Sequence, residues 1–286
     1  MIQTPAPAGT WIITPGHLDA RFPTAHGCGA DVALVDLEDS VPAAAKPEAR
    51  QMAPAFFTTP PDRCVLGVRI SSPTTRDGIR DLAALHGYPV KPQVVLIPKV
   101  ESARDFEIVA GALDTPDYTP LLYALIETPR AVEELPSIVR ADRIAGVLFG
   151  TADYATAAGC SRTWEALVHA RAALVTSAAA AGIPAIDSPF FDLDDLEGLR
   201  HEAEKAKALG FTGKSCVHPA HLPVIGEVFR PSEEEIAAAR AIVAAAEAAG
   251  GSIVRVDGRM AGPPMVAAAR ALLAREETRT QSQVPA

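Results

Sequence analysis

Nowhere does the chain run to the roughly 18 consecutive apolar residues that a membrane-spanning helix needs. The opening MIQTPAPAGTW has no basic stretch leading into an apolar core, so it does not read as a secretory signal. Blocks of positive charge are missing as well, and the formal net charge is -9. That balance argues against nucleic acid as a partner and leaves room only for a local cationic pocket around an anionic ligand. Cysteine is scarce: Cys28, Cys64, Cys160 and Cys216 are scattered, and no CxxC pair occurs. They read as reduced thiols of a cytoplasmic protein filling core or near-core sites, and not as disulfides or zinc ligands. The chain shows neither an internal repeat nor a long linker.

What is present fits a globular protein with a full core: 286 residues, 48% hydrophobic and 21% charged. Short β-like runs occur at 10–14, 31–36, 64–70, 93–99, 120–127, 144–150, 183–187 and 211–217. Amphipathic helical stretches separate most of them, such as TWEALVHARAALVTSAAAAG with its glycine stop. This alternation predicts an α/β fold, a (β/α)8 TIM barrel over residues 1–230, with a doubly wound open sheet as the alternative. Beyond it, PSEEEIAAARAIVAAAEAAGG starts with a capping box, Ser232 and Glu235, and ends at Gly250 and Gly251. A short strand, a turn and a further helix follow. Residues 231–275 are therefore expected to form a C-terminal helical, lid-like extension, and 276–286 a disordered tail.

The unusual polar residues collect where the strands end, which is where barrel enzymes build their sites. Strand 2 ends in Asp36, Glu38 and Asp39; strand 3 in Arg69; strand 4 in Lys99 and Glu101; strand 5 in Glu127. Asp153 follows strand 6, Asp187 closes strand 7, and strand 8 carries Lys214 with His218 beyond. Acids packed as closely as those after strand 2 repel one another unless cations or donors sit among them. Glu127 and Asp153, on neighbouring strands, make a two-carboxylate oxygen site that suits Mg²⁺. Each residue also has a plainer use. Glu127 and Asp153 could cap helices, and Arg69 could pair with the acids of strand 2 or grip a substrate carboxylate. Lys214 could be buried against Asp187, His218 could cap a loop, and His17 could be a surface residue.

The segments TPGHLDARF, ADVALVDLEDSVPAAAK, VRI, PKVES, ALIETPRAV, LFGTADYA, GIPAIDSPF, GFTGKSCVHPAH, FRPSEEEIAAAR and VDGRM stand in an order that resembles citrate lyase beta-subunit-like proteins. These belong to the HpcH/HpaI aldolase and citrate lyase family of (β/α)8 barrels, and the resemblance spans roughly residues 11 to 275. It implies a Mg²⁺-dependent carbon–carbon lyase or aldolase acting on a small hydroxy or oxo acid, as its CoA thioester, in a homotrimer or hexamer. It implies Glu127 and Asp153 as metal ligands and Arg69 on the oxo or carboxylate oxygens. The backbone of Gly150, Thr151, Ala152 and Asp153 would receive the distal carboxylate. Glu38 and Asp39 would order metal-bound water and Arg69. Lys99 would lie along the mouth, with Lys214 and His218 near the pocket wall or the CoA arm.

One departure bears on the chemistry. CoA-lyase relatives carry a lid of the form Asp-Gly-x-Met-φ-Asp-x-Pro (φ apolar), whose second Asp serves a neighbouring subunit as acid/base. Here the stretch is DGRMAGPP, and Gly262 stands at that position. A CoA-independent aldolase using a pyruvate- or oxaloacetate-like donor is therefore the alternative. A non-catalytic oxo-acid-binding paralogue, or a subunit of a larger complex, is a third reading. Mg²⁺-dependent oxo-acid binding without turnover would distinguish it.

Overall fold

The computed structural model describes residues 9–58 and 64–281. Eight parallel strands close into a barrel in sequence order: β1 (Thr10–Pro15), β2 (Val32–Asp36), β3 (Val65–Arg69), β4 (Val94–Ile97), β5 (Leu121–Ile126), β6 (Ile144–Phe149), β7 (Ala185–Asp187) and β8 (Gly213–Cys216). The ring is sealed by β1 against β8, from Thr10 opposite Lys214 to Ile12 opposite Cys216.

Successive side chains of a strand point to opposite faces of the sheet, and here the two faces have separate cores. Trp11, Val32, Leu34, Val94, Leu96, Tyr123, Leu125, Leu148 and Ile186 pack together inside the barrel. Their chain neighbours, such as Ala33, Val35, Val95, Ala124, Val147 and Ala185, face the surrounding helices. Both faces are buried, which is why the strands read as continuous apolar runs without polar alternation. Gly67 lets β3 fit this interior, since a Cβ there would lie 2.6 Å from Leu34 Cδ2 and 2.8 Å from Val94 Cβ.

The barrel unit ends at Phe229 and a second compact unit begins at Arg230. The latter holds the helix Glu233–Ala248, entered through the Ser232–Glu235 capping box. It continues with an antiparallel hairpin, β9 (Val254–Val256) and β10 (Arg259–Ala261), and a final helix, Pro263–Gln281. Asp257 and Gly258 turn the hairpin with φ of 48° and 78°. The last helix runs through 276–281, where a disordered tail was expected, because EETRTQ lacks any glycine or proline to stop it. Residues 282–286 of that expected tail lie outside the described residues. No helix among the described residues is long and apolar enough to cross a membrane.

Candidate active site at the barrel mouth

The pleat decides which strand-end residues reach the mouth. Val32 and Leu34 point inward, so Asp36 does too; Gly67 is followed inward by Arg69; Tyr123 and Leu125 are followed by Glu127; Leu148 is followed by Gly150. Lys99 enters from the β4 end on a left-handed backbone, φ 53°. Asp153 sits in the first turn of the helix Thr151–Ala158, which Gly150 caps.

These residues form one ionic lattice. Arg69 places Nε 2.7 Å from Asp36 Oδ1 and Nη2 2.6 Å from Asp36 Oδ2. Its Nη1 stands 3.0 Å from Glu38 Oε2, without the alignment of a hydrogen bond. Asp36 also accepts from the Glu38 and Ser40 amides and from the Ser40 hydroxyl. Burial alone would raise the Asp36 pKa, but the Arg69 charge and these hydrogen bonds hold it below the ordinary value. Lys99 Nζ binds Glu38 Oε1 at 2.8 Å and Asp39 Oδ2 at 3.2 Å, and stands 3.7 Å from Asp153 Oδ2. Burial raises the Glu38 pKa, and its two cations offset this only in part.

Glu127 is 2% exposed. Its Oε1 accepts the Lys99 amide at 2.9 Å. Burial, then the Glu38 charge, holds its pKa well above the usual carboxylate range; Asp153 adds to this, while Arg69 and Lys99 oppose it. Gly150 clears the space beside it, since a Cβ there would lie 2.6 Å from Glu127 Cβ and 2.7 Å from Oε2.

Lys214 is placed elsewhere than on the pocket wall or CoA arm. It is wholly buried, with Nζ 2.6 Å from Asp187 Oδ2 and 2.7 Å from Glu202 Oε1. Ile186 points inward, so Asp187 and its register partner Lys214 point outward, into the layer between barrel and helices. Arg171 completes that network, with Nε 2.9 Å from Asp187 Oδ1. Both Asp187 and Lys214 are thus strand-end residues on the wrong face for the mouth. His218 is exposed and caps a short turn, its Nδ1 accepting the Ala220 amide at 3.2 Å. His17 Nδ1 is enclosed with no partner among the described residues.

Sequence reading missed three supports. Lys46 reaches back under the acidic loop to the carbonyls of Leu37 and Glu38, at 2.7 and 3.0 Å; no pattern marks a lysine-to-carbonyl contact. Glu202 is an ordinary helical acid in sequence. Arg171 left a trace, because it falls on the apolar stripe of its helix with Leu167, Leu174 and Ala178.

The donor set suits magnesium. Among the described residues no group of three or more His, Cys, Asp or Glu converges as a metal cage. Mg²⁺ takes one or two carboxylates and keeps its other positions for water and substrate oxygens. Glu127 supplies an enclosed carboxylate pressed by neighbouring negative charge, and a divalent cation shared with Asp153 would relieve that pressure. The Thr151, Ala152 and Asp153 amides, in the first turn, have no intrahelical acceptor and favour an anion.

Known proteins resemble the chain along most of its length. The family model for HpcH/HpaI aldolase/citrate lyase matches residues 13–219. A citrate lyase subunit beta-like protein of Mycobacterium tuberculosis (strain CDC 1551 / Oshkosh) is 35% identical over 274 residues, covering 93% of this chain and 94% of the relative. A (3S)-malyl-CoA thioesterase of Cereibacter sphaeroides (strain ATCC 17025 / ATH 2.4.3) is 34% identical, with 92% of each chain covered. Among solved structures, CitE from Mycobacterium tuberculosis in complex with magnesium, acetoacetate and coenzyme A superimposes with a TM-score of 0.80 at 34% identity, covering 94% of this chain and 98% of that one.

Proposed function

Because the chain belongs to the HpcH/HpaI aldolase/citrate lyase family, we propose that its barrel mouth breaks or forms a carbon–carbon bond in a small hydroxy or oxo acid carried as a CoA thioester. The protein is a carbon–carbon lyase, and Glu127 and Asp153 are the residues that hold its Mg²⁺. The observation that carries this reading is Glu127, enclosed and fixed by the Lys99 amide, with Gly150 cut away beside it.

Magnesium, when bound, supplies Lewis-acid polarisation of the substrate's carbonyl oxygen. The remaining work falls to the chain. Arg69 spends its Nε–Nη2 fork on Asp36, so it serves the oxo acid with charge and its Nη1 edge, stabilising the enolate that cleavage leaves. The first-turn amides of Thr151, Ala152 and Asp153 receive the distal carboxylate. Glu38 and Asp39 keep Arg69 and Lys99 in place. His218, exposed beside β8, is available to the CoA arm; Lys214 is not. The four free cysteines support a cytoplasmic setting. The family resemblance, with Ile253, Met260 and Met265 exposed in the second unit, supports a homotrimer or hexamer.

One observation favours the CoA-independent aldolase as a second reading: Gly262 brings no acid to the hairpin end. Glycine is not required there for shape. Its φ is not in the left-handed range, and a Cβ would make only ordinary contacts, with Ile253 at 3.8 Å and Pro264 at 4.0 Å. Calorimetry and kinetics test both readings. Glu127→Gln and Asp153→Asn are each expected to abolish Mg²⁺ binding while the melting temperature stays near wild type; retained affinity would remove them as ligands. Gly262→Asp is expected to raise malyl-CoA-type cleavage by about 10²–10⁴-fold, the usual worth of a general acid or base. Slow thioester cleavage in both proteins, with brisk turnover of free oxo-acid aldols, would move the assignment to the CoA-independent aldolase.

A further inference from the structure

The mouth holds the carboxylates of Asp36, Glu38, Asp39, Glu127 and Asp153, yet the magnesium site uses only the last two. We infer that Lys99 sets this number: its ammonium withdraws Glu38 and Asp39 from the ligand pool, and so selects a small, hydrated cation and leaves its open positions to substrate. This rests on the magnesium reading above.

The contacts divide the acids into two groups. Asp36 is committed to Arg69, with both oxygens engaged. Glu38 has Oε1 on Lys99 at 2.8 Å and Oε2 facing Arg69 at 3.0 Å. Asp39 has Oδ2 on Lys99 at 3.2 Å. Asp153 is different: at 3.7 Å the ammonium is beyond hydrogen-bond reach, and the side chain stays 40% exposed. Glu127 is held by the same residue through its backbone, the Lys99 amide donating to Oε1 at 2.9 Å. A single residue therefore fixes one ligand and occupies two competing acids.

The backbone adds a second, independent sign. Lys99 sits at φ 53°, a region costly for a residue with a Cβ and free for glycine. A turn needed only for its amide would be served better by glycine. The long cation stands at a position that penalises it, as expected if the charge has its own task.

Without the ammonium, Glu38 Oε1 and Asp39 Oδ2 lose their partner and face the same mouth as Glu127 and Asp153. Such an oxygen-rich set suits Ca²⁺, which takes 6–8 oxygens in flexible geometry, better than Mg²⁺, which demands a tight octahedron. It also fills positions that the oxo acid needs.

The test uses the full-length protein stripped with EDTA and titrated calorimetrically with MgCl₂ and with CaCl₂. Wild type is compared with Lys99→Met, which removes the charge, Lys99→Gly, which also relieves the backbone, and Lys99→Arg, which restores a cation. Removing a positive charge a few ångströms from a cation site strengthens binding in general, so the ratio of the two affinities is the informative readout. Met and Gly are each expected to tighten Ca²⁺ by at least about tenfold, more than they tighten Mg²⁺, and to weaken pyruvate binding at saturating Mg²⁺; Arg is expected to keep the wild-type ratio. An unchanged ratio, or equal loss of both cations, overturns the inference and makes Lys99 a loop anchor only. A wild type that binds no Mg²⁺, or binds it undiminished after Glu127→Gln, overturns the metal site and the role of Lys99 together. A wild type that binds through Glu127 with an unmoved ratio overturns the role of Lys99 alone.

Discussion

At the proposed metal site, the space beside Glu127 is set by what Gly150 lacks. Gly150 has φ -103°, which any residue adopts, so the backbone does not ask for glycine. The requirement is spatial: one methyl would sit 2.6 Å from Glu127 Cβ and 2.7 Å from its Oε2. Gly150→Ala is expected to push the carboxylate aside and weaken Mg²⁺ binding by at least about tenfold, while costing about 1–3 kcal/mol as an overpacked contact. Calorimetry with a urea melt checks both, and undiminished Mg²⁺ affinity would mean that Glu127 is placed by the Lys99 amide alone. The sequence shows Gly150 as part of a helix entry beside Asp153. That its absent side chain makes room for a residue on another strand is a tertiary fact that no local pattern encodes.

Among the eight barrel strands, β7 is the shortest. It has three residues and two register pairs on each side. Behind it, Asp187 joins Lys214 of β8 to Arg171 of the helix Trp164–Ala181, and Glu202 of the helix Leu196–Leu209 completes the group. Asp187→Asn leaves two buried cations with Glu202 as their remaining acid. The expected cost is about 3–5 kcal/mol in a urea melt, with Mg²⁺ affinity near wild type. Wild-type stability with lost metal binding would instead place Asp187 in the mouth. This is also where legibility ended. IPAID is recognisable as a strand, but Ala185 and Ile186 are both buried and apolar, so alternation cannot say which way Asp187 points. At Asp36, Arg69 and Glu127 the strand ends were enough to find the mouth; at Asp187 and Lys214 the same rule gathered residues from the opposite face.

For the molecule as a whole, the two kinds of acid give the pH–stability curve two opposite limbs. Asp36 and Asp187 have folded pKa values below the ordinary value of about 4. For Asp187, burial alone would raise it, but the charges of Lys214 and Arg171 prevail. Their contribution is present above the unfolded value and lost as pH falls through the folded one. Glu127 and Glu38 are raised, so the folded state takes up their protons first, and stability is gained as pH falls through their folded values. Urea melts in EDTA are therefore expected to show greatest stability at mildly acidic pH, with a decline toward neutral and a steep loss below about pH 4. A steady fall from neutral pH downward would show that Glu127 is not held above its ordinary value. The barrel itself was readable from βα alternation because that repeat extends along most of the chain. The final helix was readable too, but not its last turns past residue 275, since their polar residues give no apolar stripe to follow.

The closure of the ring also carries a kinetic consequence. β1 pairs with β8, the first strand with the last, so this contact spans more of the chain than any other strand pairing in the barrel. Long-range pairings must meet the entropy of loop closure before any contact energy is returned, which makes them slow to form. β8 meets β1 on one side and β7 on the other. The Lys214–Asp187 pair, 27 residues apart, spans far less of the chain than the seam between β1 and β8, so closing the ring, and not joining β7 to β8, is expected to be the slow pairing.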